Sequence, residues 1–294
     1  MAHVYKDCSI VPPRSKHCVL AIGNFDGVHH GHRKVLAVAR EQAALLGVPV
    51  GALTFEPHPR LFFNPAQAPF RLTPEDHKVS AIAEQGIDNI FVSTFDAKFA
   101  ALSADAFVKE ILVRDLGVVH VVVGQDYRFG AKRQGDVELL RRLGREFGFG
   151  VSEVAPFKDH TNQTYSSTRV REALGAGKLD KVANLLGRPW SVHDKVCYFG
   201  RGVVALSLGA RQRLLPGLYA VEVQDLLGQK TSRAFSWVPP TALGDEDELL
   251  VSFDTDDQTK RSLRVEFLEY LGAHGTLGTS APDDAWHGAS MAWI

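Results

Sequence analysis

Short apolar runs alternate with amphipathic segments from Cys18 to about Leu186. The apolar runs have the length of β-strands and lie at 18–23, 48–55, 89–93, 118–124 and 150–155. The segments between them have the length and period of helices, at 33–46, 74–85, 104–116 and 136–147. This alternation predicts an α/β fold with a doubly wound parallel sheet, whose ligand crevice lies at the carboxyl ends of the strands.

The pattern changes after the stretch LLGRPW. Runs rich in β-formers, such as GLYAVEV and LRVEFLEYL, are then separated by Gly, Pro and acidic clusters, which predicts a smaller antiparallel β-barrel. The acidic stretches at 244–248 and 254–257 are interpreted as solvated hairpin turns rather than metal sites. The predicted organisation is a first domain, a barrel and a Gly/Ala/Ser-rich tail, at 1–186, 187–271 and 272–294.

One helix has a recognisable start signal in the stretch TPED. Thr73 is the expected N-cap, with Pro74 at the first helical position and two acidic residues in the first turn.

Composition narrows the function classes. The chain has 294 residues, of which 45% are hydrophobic and 23% charged, as in soluble globular proteins. Its net charge of -1 gives no basic surface for nucleic acid, so we expect any bound polyanion to be small. Cys8, Cys18 and Cys197 lack the spacing of a disulfide framework or a metal site and are interpreted as reduced thiols. No apolar leader or membrane-spanning run occurs, which predicts a cytoplasmic protein; the oligomeric state is left open.

The stretch AIGNFDGVHHGHRKVL (21–36) concentrates histidines where a strand gives way to a helix. The strand is expected to end at Gly23 and the helix to begin around Gly31, so unpaired N–H groups face the ligand edge of the sheet. His29 and His32 are three residues apart and can project from the same side of the first turn, whereas His30 points elsewhere. A phosphate clamp, a metal site and ordinary polar turn residues all remain open from the spacing alone.

Three further stretches carry candidate chemistry. In YSSTRVREAL (165–174), hydroxyls precede two arginines, Arg169 and Arg171, in a first helical turn, which opposes the helix dipole unless a polyanion binds there. GQDYRFGAKRQGD (124–136) is either a mobile surface loop or a loop that closes over a flat, charged ligand. TFEPHPRLFF (54–63) predicts a stiff apolar wall, although core packing also explains its phenylalanines.

Taken together, these stretches resemble the bacterial bifunctional riboflavin kinase/FAD synthetase family. IGNFDGVHHGH, TFEPHPR, GQDYRFGAKRQG, SSTRVR and LLGRPW occur in the order and spacing of that family, closely over about 18–190 and weakly beyond. The resemblance implies a Rossmann-like nucleotidyltransferase domain followed by a smaller antiparallel β-barrel. It also implies transfer of AMP from ATP to FMN, giving FAD and pyrophosphate, with Mg²⁺ as the cofactor carried by ATP rather than by protein ligands.

The resemblance also assigns roles to residues. His29 and His32 are expected to meet the ATP phosphates as the catalytic pair, with Ser167, Thr168 and Arg171 on the leaving pyrophosphate. The full ATP-binding set implied is Gly23, Asn24, Phe25, Gly31, Ser166, Ser167, Thr168 and Arg171. The flavin side is expected to be lined by Pro57, Pro59, Phe62, Phe63, Asp126 and Phe129.

The second half departs from the family pattern. Riboflavin kinase members carry a Pro-Thr-Ala-Asn element before the strand that matches GLYAVEV, and its Thr and Asn help to hold Mg²⁺ and nucleotide. The corresponding stretch here, GVVALSLGARQRLLPGLYAV, has no such element, and neither Glu246 nor Glu248 is a secure counterpart of the acidic base. The sequence therefore predicts an FMN adenylyltransferase whose barrel has lost kinase activity.

Other functions remain open at this point. The chain could still be bifunctional, could transfer a nucleotide to a smaller acceptor such as glycerol phosphate or pantetheine phosphate, or could be a non-catalytic flavin or nucleotide sensor. The aromatic stretches argue against a small acceptor, and the complete histidine and hydroxyl/arginine sets argue against a sensor.

Overall fold

A computed structural model describes residues 2–65, 69–195, 197–200, 203–226, 231–240, 248–252 and 262–273, with the backbone alone at 197–200. The acidic stretch 254–257, nearly all of 244–248 and the tail from 274 lie outside the described residues. The chain divides into two compact units: 1–67 with 73–166, and 68–72 with 167–294.

The first unit is built on a parallel sheet of six strands in the order β1-β4-β3-β2-β5-β6. The strands are β1 (His3–Tyr5), β2 (Val19–Ile22), β3 (Val50–Glu56), β4 (Asn89–Thr94), β5 (His120–Gly124) and β6 (Gly150–Val154). The chain proceeds outwards from β2 through β3 and β4, and β5 and β6 then add on the other side of β2. This reversal makes the carboxyl end of β2 the topological switch point, where such sheets bind ligands.

Helices cover both faces of this sheet. They are α1 (His30–Leu46), α2 (Pro59–Phe63), α3 (Glu75–Ala83), α4 (Ala97–Ala100), α5 (Ala104–Ala106) and α6 (Val137–Phe147). One core packs α1 and α3 against the sheet through residues such as Leu36 and Ile82. The other contains Phe107 and Leu140 from the helices on the opposite face. The doubly wound parallel sheet predicted from the sequence is thereby confirmed.

Two local predictions need correction. The helix expected at 104–116 is α-helical only at its start, because Phe107–Asp115 is wound as a π-helix. Thr73 does not cap α3, whose N-cap is Pro74 without a side-chain hydrogen bond. The Thr73 hydroxyl instead accepts a hydrogen bond from the Gly27 N–H. Thr73 therefore bonds to a residue distant in the chain instead of capping the helix that follows it.

The state of Cys8 and Cys18 agrees with the interpretation of the cysteines as reduced thiols. Cys8 and Cys18 are free and buried. Burial raises the pKa of the Cys18 thiol to about 12, and burial together with the charges of Asp115 and Asp7 raises that of Cys8 to about 12. The side chain of Cys197 is outside the described residues.

The described part of the second unit contains two helices and an antiparallel sheet of seven strands in the order β7-β13-β10-β11-β12-β9-β8. Its elements are α7 (Ser167–Gly175), α8 (Leu179–Leu186), β7 (Trp190–Lys195), β8 (Cys197–Gly200), β9 (Val203–Ser207), β10 (Gly217–Asp225), β11 (Thr231–Val238), β12 (Glu248–Ser252) and β13 (Ser262–Gly272). The curled antiparallel sheet confirms the predicted fold class of the second domain. The main segment of this unit begins at Ser167, the first residue of α7, whereas the sequence places the domain boundary after Leu186.

A short excursion of the chain, 68–72, also belongs to the second unit. The Arg71 N–H donates to the Ala210 carbonyl at 3.2 Å, and the Gln212 N–H donates to the Arg71 carbonyl at 2.7 Å. The indole N–H of Trp190 donates to the Leu72 carbonyl at 2.9 Å. These bonds pair the backbone groups of Arg71 and Leu72 with residues of the second unit.

Candidate active site

The loop between β2 and α1 lies at the switch point and has an unusual backbone. Phe25, Gly27 and Val28 have φ values of 50°, 86° and 45°. The left-handed region is strained for a β-branched residue such as Val28, and strain of this kind persists only where the surroundings enforce it. Val28 is fully buried and Phe25 is 1% exposed, so core packing holds the loop in this conformation.

Asp26 and Thr73 hold the same loop by hydrogen bonds. The Asp26 carboxylate accepts from the Thr73 N–H at 3.1 Å and from its hydroxyl at 3.3 Å. The Thr73 oxygen in turn accepts from the Gly27 N–H at 3.2 Å. Sequence reasoning missed this arrangement, because the two residues are 46 or more positions apart and neither belongs to a motif that predicts the other.

The two motif histidines lie together at the start of α1. Their rings stack at a centroid distance of 3.7 Å and an angle of 19°, on the same side of the turn as predicted. His29 is the N-cap, and its Nδ1 accepts a hydrogen bond from the His32 N–H at 3.3 Å. Because Nδ1 is the acceptor, the neutral His29 ring carries its proton on Nε2, where it can be donated to an anion.

Glycines and aromatic rings shape the space around this pair. A Cβ on Gly31 would lie 3.0 Å from the His29 ring and 3.2 Å from the Tyr165 carbonyl, and a Cβ on Gly23 would lie 3.1 Å from the Phe25 ring. The Phe25 ring also meets His32 edge-on at 5.4 Å. The side chain of Phe25 is therefore part of the support beneath the histidines. Asn24 is exposed, and its carbonyl accepts from the Thr54 hydroxyl at 3.0 Å.

His30 points away from the stacked pair, as the sequence predicts. Its ring meets Tyr165 edge-on at 5.1 Å, and Tyr165 stacks on Phe157 at 5.2 Å. Partial burial and the nearby charge of Arg33 lower the pKa of His30.

The stretch 54–63 forms a turn and a short helix at the carboxyl end of β3. Pro57 follows a cis peptide bond and Pro59 opens α2, which ends in Phe62 and Phe63. Just before the turn, the Glu56 carboxylate forms an ion pair with Lys78 of α3, in which Nζ and Oε1 are 2.6 Å apart. Lys78 also donates to the Phe55 carbonyl at 3.2 Å, and its side chain is buried. This buried ion pair is a further feature that sequence reasoning missed.

The stretch 124–136 is a loop that backbone hydrogen bonds fasten at several points. Phe129 and Gly135 exchange two backbone hydrogen bonds, at 3.1 and 2.9 Å, and the Ala131 N–H donates to the Leu102 carbonyl at 2.7 Å. Phe129 is buried and stacks on Tyr127 at 5.5 Å, whereas Asp126 is exposed. Burial raises the pKa of the Tyr127 phenol far above its usual range.

The hydroxyl and arginine set is divided between the compact units. Ser166 is the last residue of the first unit, and Ser167, Thr168 and Arg171 belong to α7 of the second. The Arg171 Nε–H donates to the Phe70 carbonyl at 2.7 Å, and its guanidinium lies 4.9 Å from the Phe70 ring centroid. Arg171 thus has a structural contact within its own unit, and its role towards pyrophosphate stays a prediction.

The described ranges contain no group of three or more His, Cys, Asp or Glu side chains placed to hold a metal ion. Over the same ranges, every helix is too short or too polar to span a bilayer.

A stacked HxGH histidine pair, placed after the first core strand of a doubly wound parallel sheet, fits the nucleotidyltransferase class that the sequence resemblance implies. Comparison with known proteins takes the assignment to a family. The sequence profile described as FAD synthetase matches residues 11–169. The bifunctional riboflavin kinase/FMN adenylyltransferase of Pseudomonas fluorescens is 41% identical over 268 residues, covering 88% of this chain and 81% of the relative. The protein of the same name from Escherichia coli K12 is 40% identical over 220 residues, covering 72% and 70%. The chain belongs to the FAD synthetase family.

A solved structure shows the same fold over nearly the whole chain. It is described as a macrolide-efflux protein from Streptococcus pneumoniae and matches with a TM-score of 0.81, covering 99% of this chain and 97% of its own. Its sequence identity is 23%, so the likeness concerns the fold.

Proposed function

We propose that this chain is an FMN adenylyltransferase, which transfers AMP from Mg-ATP to FMN and releases FAD and pyrophosphate. The observation that carries the proposal is the stacked His29/His32 pair at the helix N-terminus, in a chain that belongs to the FAD synthetase family. The aromatic residues after β3 and β5 support a flat acceptor over a small one, because glycerol phosphate and pantetheine phosphate need no aromatic wall.

The reaction needs positioning and charge stabilisation rather than a covalent intermediate. An FMN phosphate oxygen attacks the α-phosphorus of ATP, the bond from this phosphorus to the bridging oxygen breaks, and pyrophosphate leaves with the electron pair. The FMN phosphate is already ionised and needs no strong base. The protein contributes in-line placement and donors aimed at the charge that develops on the α-phosphate.

We assign the donors as follows. The Nε2–H of His29, the His32 ring and the N-terminus of α1 meet the phosphates, and Mg²⁺ enters bound to ATP. Gly23, Asn24 and Gly31 allow the nucleotide to approach the backbone. Phe25 contributes its main chain to the same nucleotide-binding surface. Ser166, Ser167, Thr168 and Arg171 serve the leaving pyrophosphate. Pro57, Pro59, Phe62, Phe63, Asp126 and Phe129 serve the flavin.

Replacing Gly31 with alanine is expected to slow FAD formation without unfolding the protein. Alanine favours the helix by about 1 kcal/mol over glycine, but its Cβ would press on the His29 ring and the Tyr165 carbonyl. A displacement of the catalytic imidazole by a few tenths of an ångström is expected to lower kcat by about tenfold or more. Steady-state kinetics and thermal unfolding of the variant check this, and a kcat equal to that of the unchanged enzyme would contradict it.

The barrel is proposed to lack riboflavin kinase activity. In the stretch before β10, where kinase members carry magnesium ligands, this chain has the buried cation Arg211. Its Nη1 donates to the Ser207 carbonyl at 2.9 Å and lies 3.4 Å from the Asp194 carboxylate, and its Nη2 donates to the His193 carbonyl at 2.8 Å. A buried guanidinium held in this way supports a structural role for the segment.

Chromatography of flavins tests both parts of the proposal. The purified full-length protein is incubated with Mg-ATP and either FMN or riboflavin. FAD is expected from FMN, and riboflavin is expected to remain unchanged. FMN or FAD formed from riboflavin would show that the barrel is an active kinase. No FAD from FMN would contradict the adenylyltransferase, and the same assay with smaller phosphate acceptors would then identify an altered specificity.

A further inference from the structure

A continuous series of aromatic rings joins the two stretches assigned to the flavin. Successive ring centroids are separated by 5.4 Å (Phe62–Phe95), 5.5 Å (Phe95–Phe99), 6.0 Å (Phe99–Phe107), 5.6 Å (Phe107–Phe129) and 5.5 Å (Phe129–Tyr127). We call it the ring series. Phe95 and Phe99 belong to none of the motifs in the sequence, yet they connect the residues that follow β3 with those that follow β5.

Phe95 is the residue on which the exposed end of the ring series depends. Besides Phe62 and Phe99, its ring meets Phe63 at 5.8 Å and Phe55 at 6.1 Å, both edge-on. Its N–H donates to the Glu56 carbonyl at 2.7 Å, which fixes its backbone to the residue preceding the proline turn. Ring contacts and a backbone hydrogen bond therefore both restrain Phe95, and Phe95 in turn restrains the rings of Phe62 and Phe63.

Exposure changes along the ring series in a way that fits a ligand surface. Phe107 and Phe129 are buried, and Phe62, Phe95 and Phe99 are partly exposed. Phe63, which contacts Phe62 and Phe95 beside the series, is 68% exposed. On a protein with a well-formed core, a contiguous exposed aromatic surface marks an interaction site. This surface lies after the carboxyl ends of β3 and β4, on the ligand-binding edge of the sheet.

We propose that Phe95 determines acceptor specificity by positioning Phe62 and Phe63 against the flat ring of the flavin. The inference rests on the proposed function, from which it takes the acceptor. Aromatic pairs at these distances prefer edge-on or offset geometries, so Phe95 restricts the orientations open to both rings. Without it the two side chains could collapse into the vacated space, and the surface would lose its match to a planar ligand.

Phe95→Leu tests this role because leucine keeps an apolar contact and removes the ring. We expect KM for FMN to rise about tenfold, the equivalent of losing roughly 1.4 kcal/mol of binding, with kcat and KM for ATP within about twofold. Phe95→Tyr keeps the ring and is expected to restore KM for FMN. Phe147→Leu, the same change at a partly buried ring of α6 outside the ring series, serves as the matched control.

Direct binding separates this inference from the proposed function. Quenching of flavin fluorescence, titrated without ATP, should show FMN binding weakened about tenfold in Phe95→Leu and unchanged in Phe147→Leu. Unchanged binding in Phe95→Leu, or an equal loss for FMN and ATP, would overturn the role of Phe95. If the unchanged protein makes no FAD, the proposed function fails, whereas the titration still decides whether Phe95 positions a flavin surface.

Discussion

His29→Asn is expected to lower the kcat of FAD formation by about a hundredfold or more while the protein stays folded, as removal of a transition-state donor does in other enzymes. The variant separates the two tasks of this residue. His29 caps α1 through its Nδ1, and it carries the proton on Nε2 that we assign to the phosphates. Asparagine is among the best N-caps, so the cap is retained and the donor from the imidazole is lost.

Companion variants make this result specific. His29→Ala removes both tasks and is expected to cost about 1 kcal/mol of stability in addition to the same loss of rate. His32→Ala is expected to lose rate to a similar extent, because its ring stacks on that of His29. His30→Gln changes the histidine that points away towards Tyr165 and should keep most of the activity.

The measurements are kcat and KM for both substrates, ATP binding by calorimetry, and thermal unfolding. An interaction made mainly in the transition state lowers kcat and leaves ATP binding nearly intact. A His29→Asn variant with normal kcat would remove His29 from the catalytic machinery. A variant that loses ATP binding in proportion to its rate would make His29 a binding residue instead.

Local patterns were sufficient to predict the parallel sheet and the turn that places His29 and His32 on the same side. The run VVHVVVG supplies β5, of which Val121–Val123 are buried, and GNFDGVHHGH spans the turn into α1 where strand and helix periodicities meet. These features depend on residues close together in the chain, so periodicity and cap chemistry predict them. The stacking of His29 on His32 follows in the same way from a spacing of three.

The features that the sequence did not predict depend on distant partners. Nothing near Thr73 in the chain indicates that its hydroxyl serves Asp26 and Gly27 rather than α3, because a helix N-cap is the better local solution. Phe95 and Phe99 look like ordinary apolar residues until the fold brings β3, β4 and β5 to one edge of the sheet. Tertiary contacts decide the role of each of these positions.

Lys78→Met is expected to destabilise the protein by about 3–5 kcal/mol, although methionine is nearly as long as lysine and packs well in a core. The Lys78 ammonium is buried against the Glu56 carboxylate at 2.6 Å and also donates to the Phe55 carbonyl. Removing the cation takes the Lys78 counter-ion away from a largely buried carboxylate, and the cost of that desolvated charge is the main loss. Urea unfolding at constant m-value measures the loss.

The double variant Lys78→Met/Glu56→Gln tests the cause. If the unpaired charge dominates, neutralising Glu56 as well should recover a large part of the loss, and the double-mutant cycle should give a coupling energy of about 1–3 kcal/mol. A double variant as unstable as the sum of its single variants would contradict this and assign the cost to packing. Glu56 also holds Phe95 through its carbonyl and precedes Pro57. The double variant should therefore recover stability but still bind FMN less tightly than the unchanged protein. Its buried charge is neutralised, whereas the ion pair that anchors the proline turn to α3 is still missing.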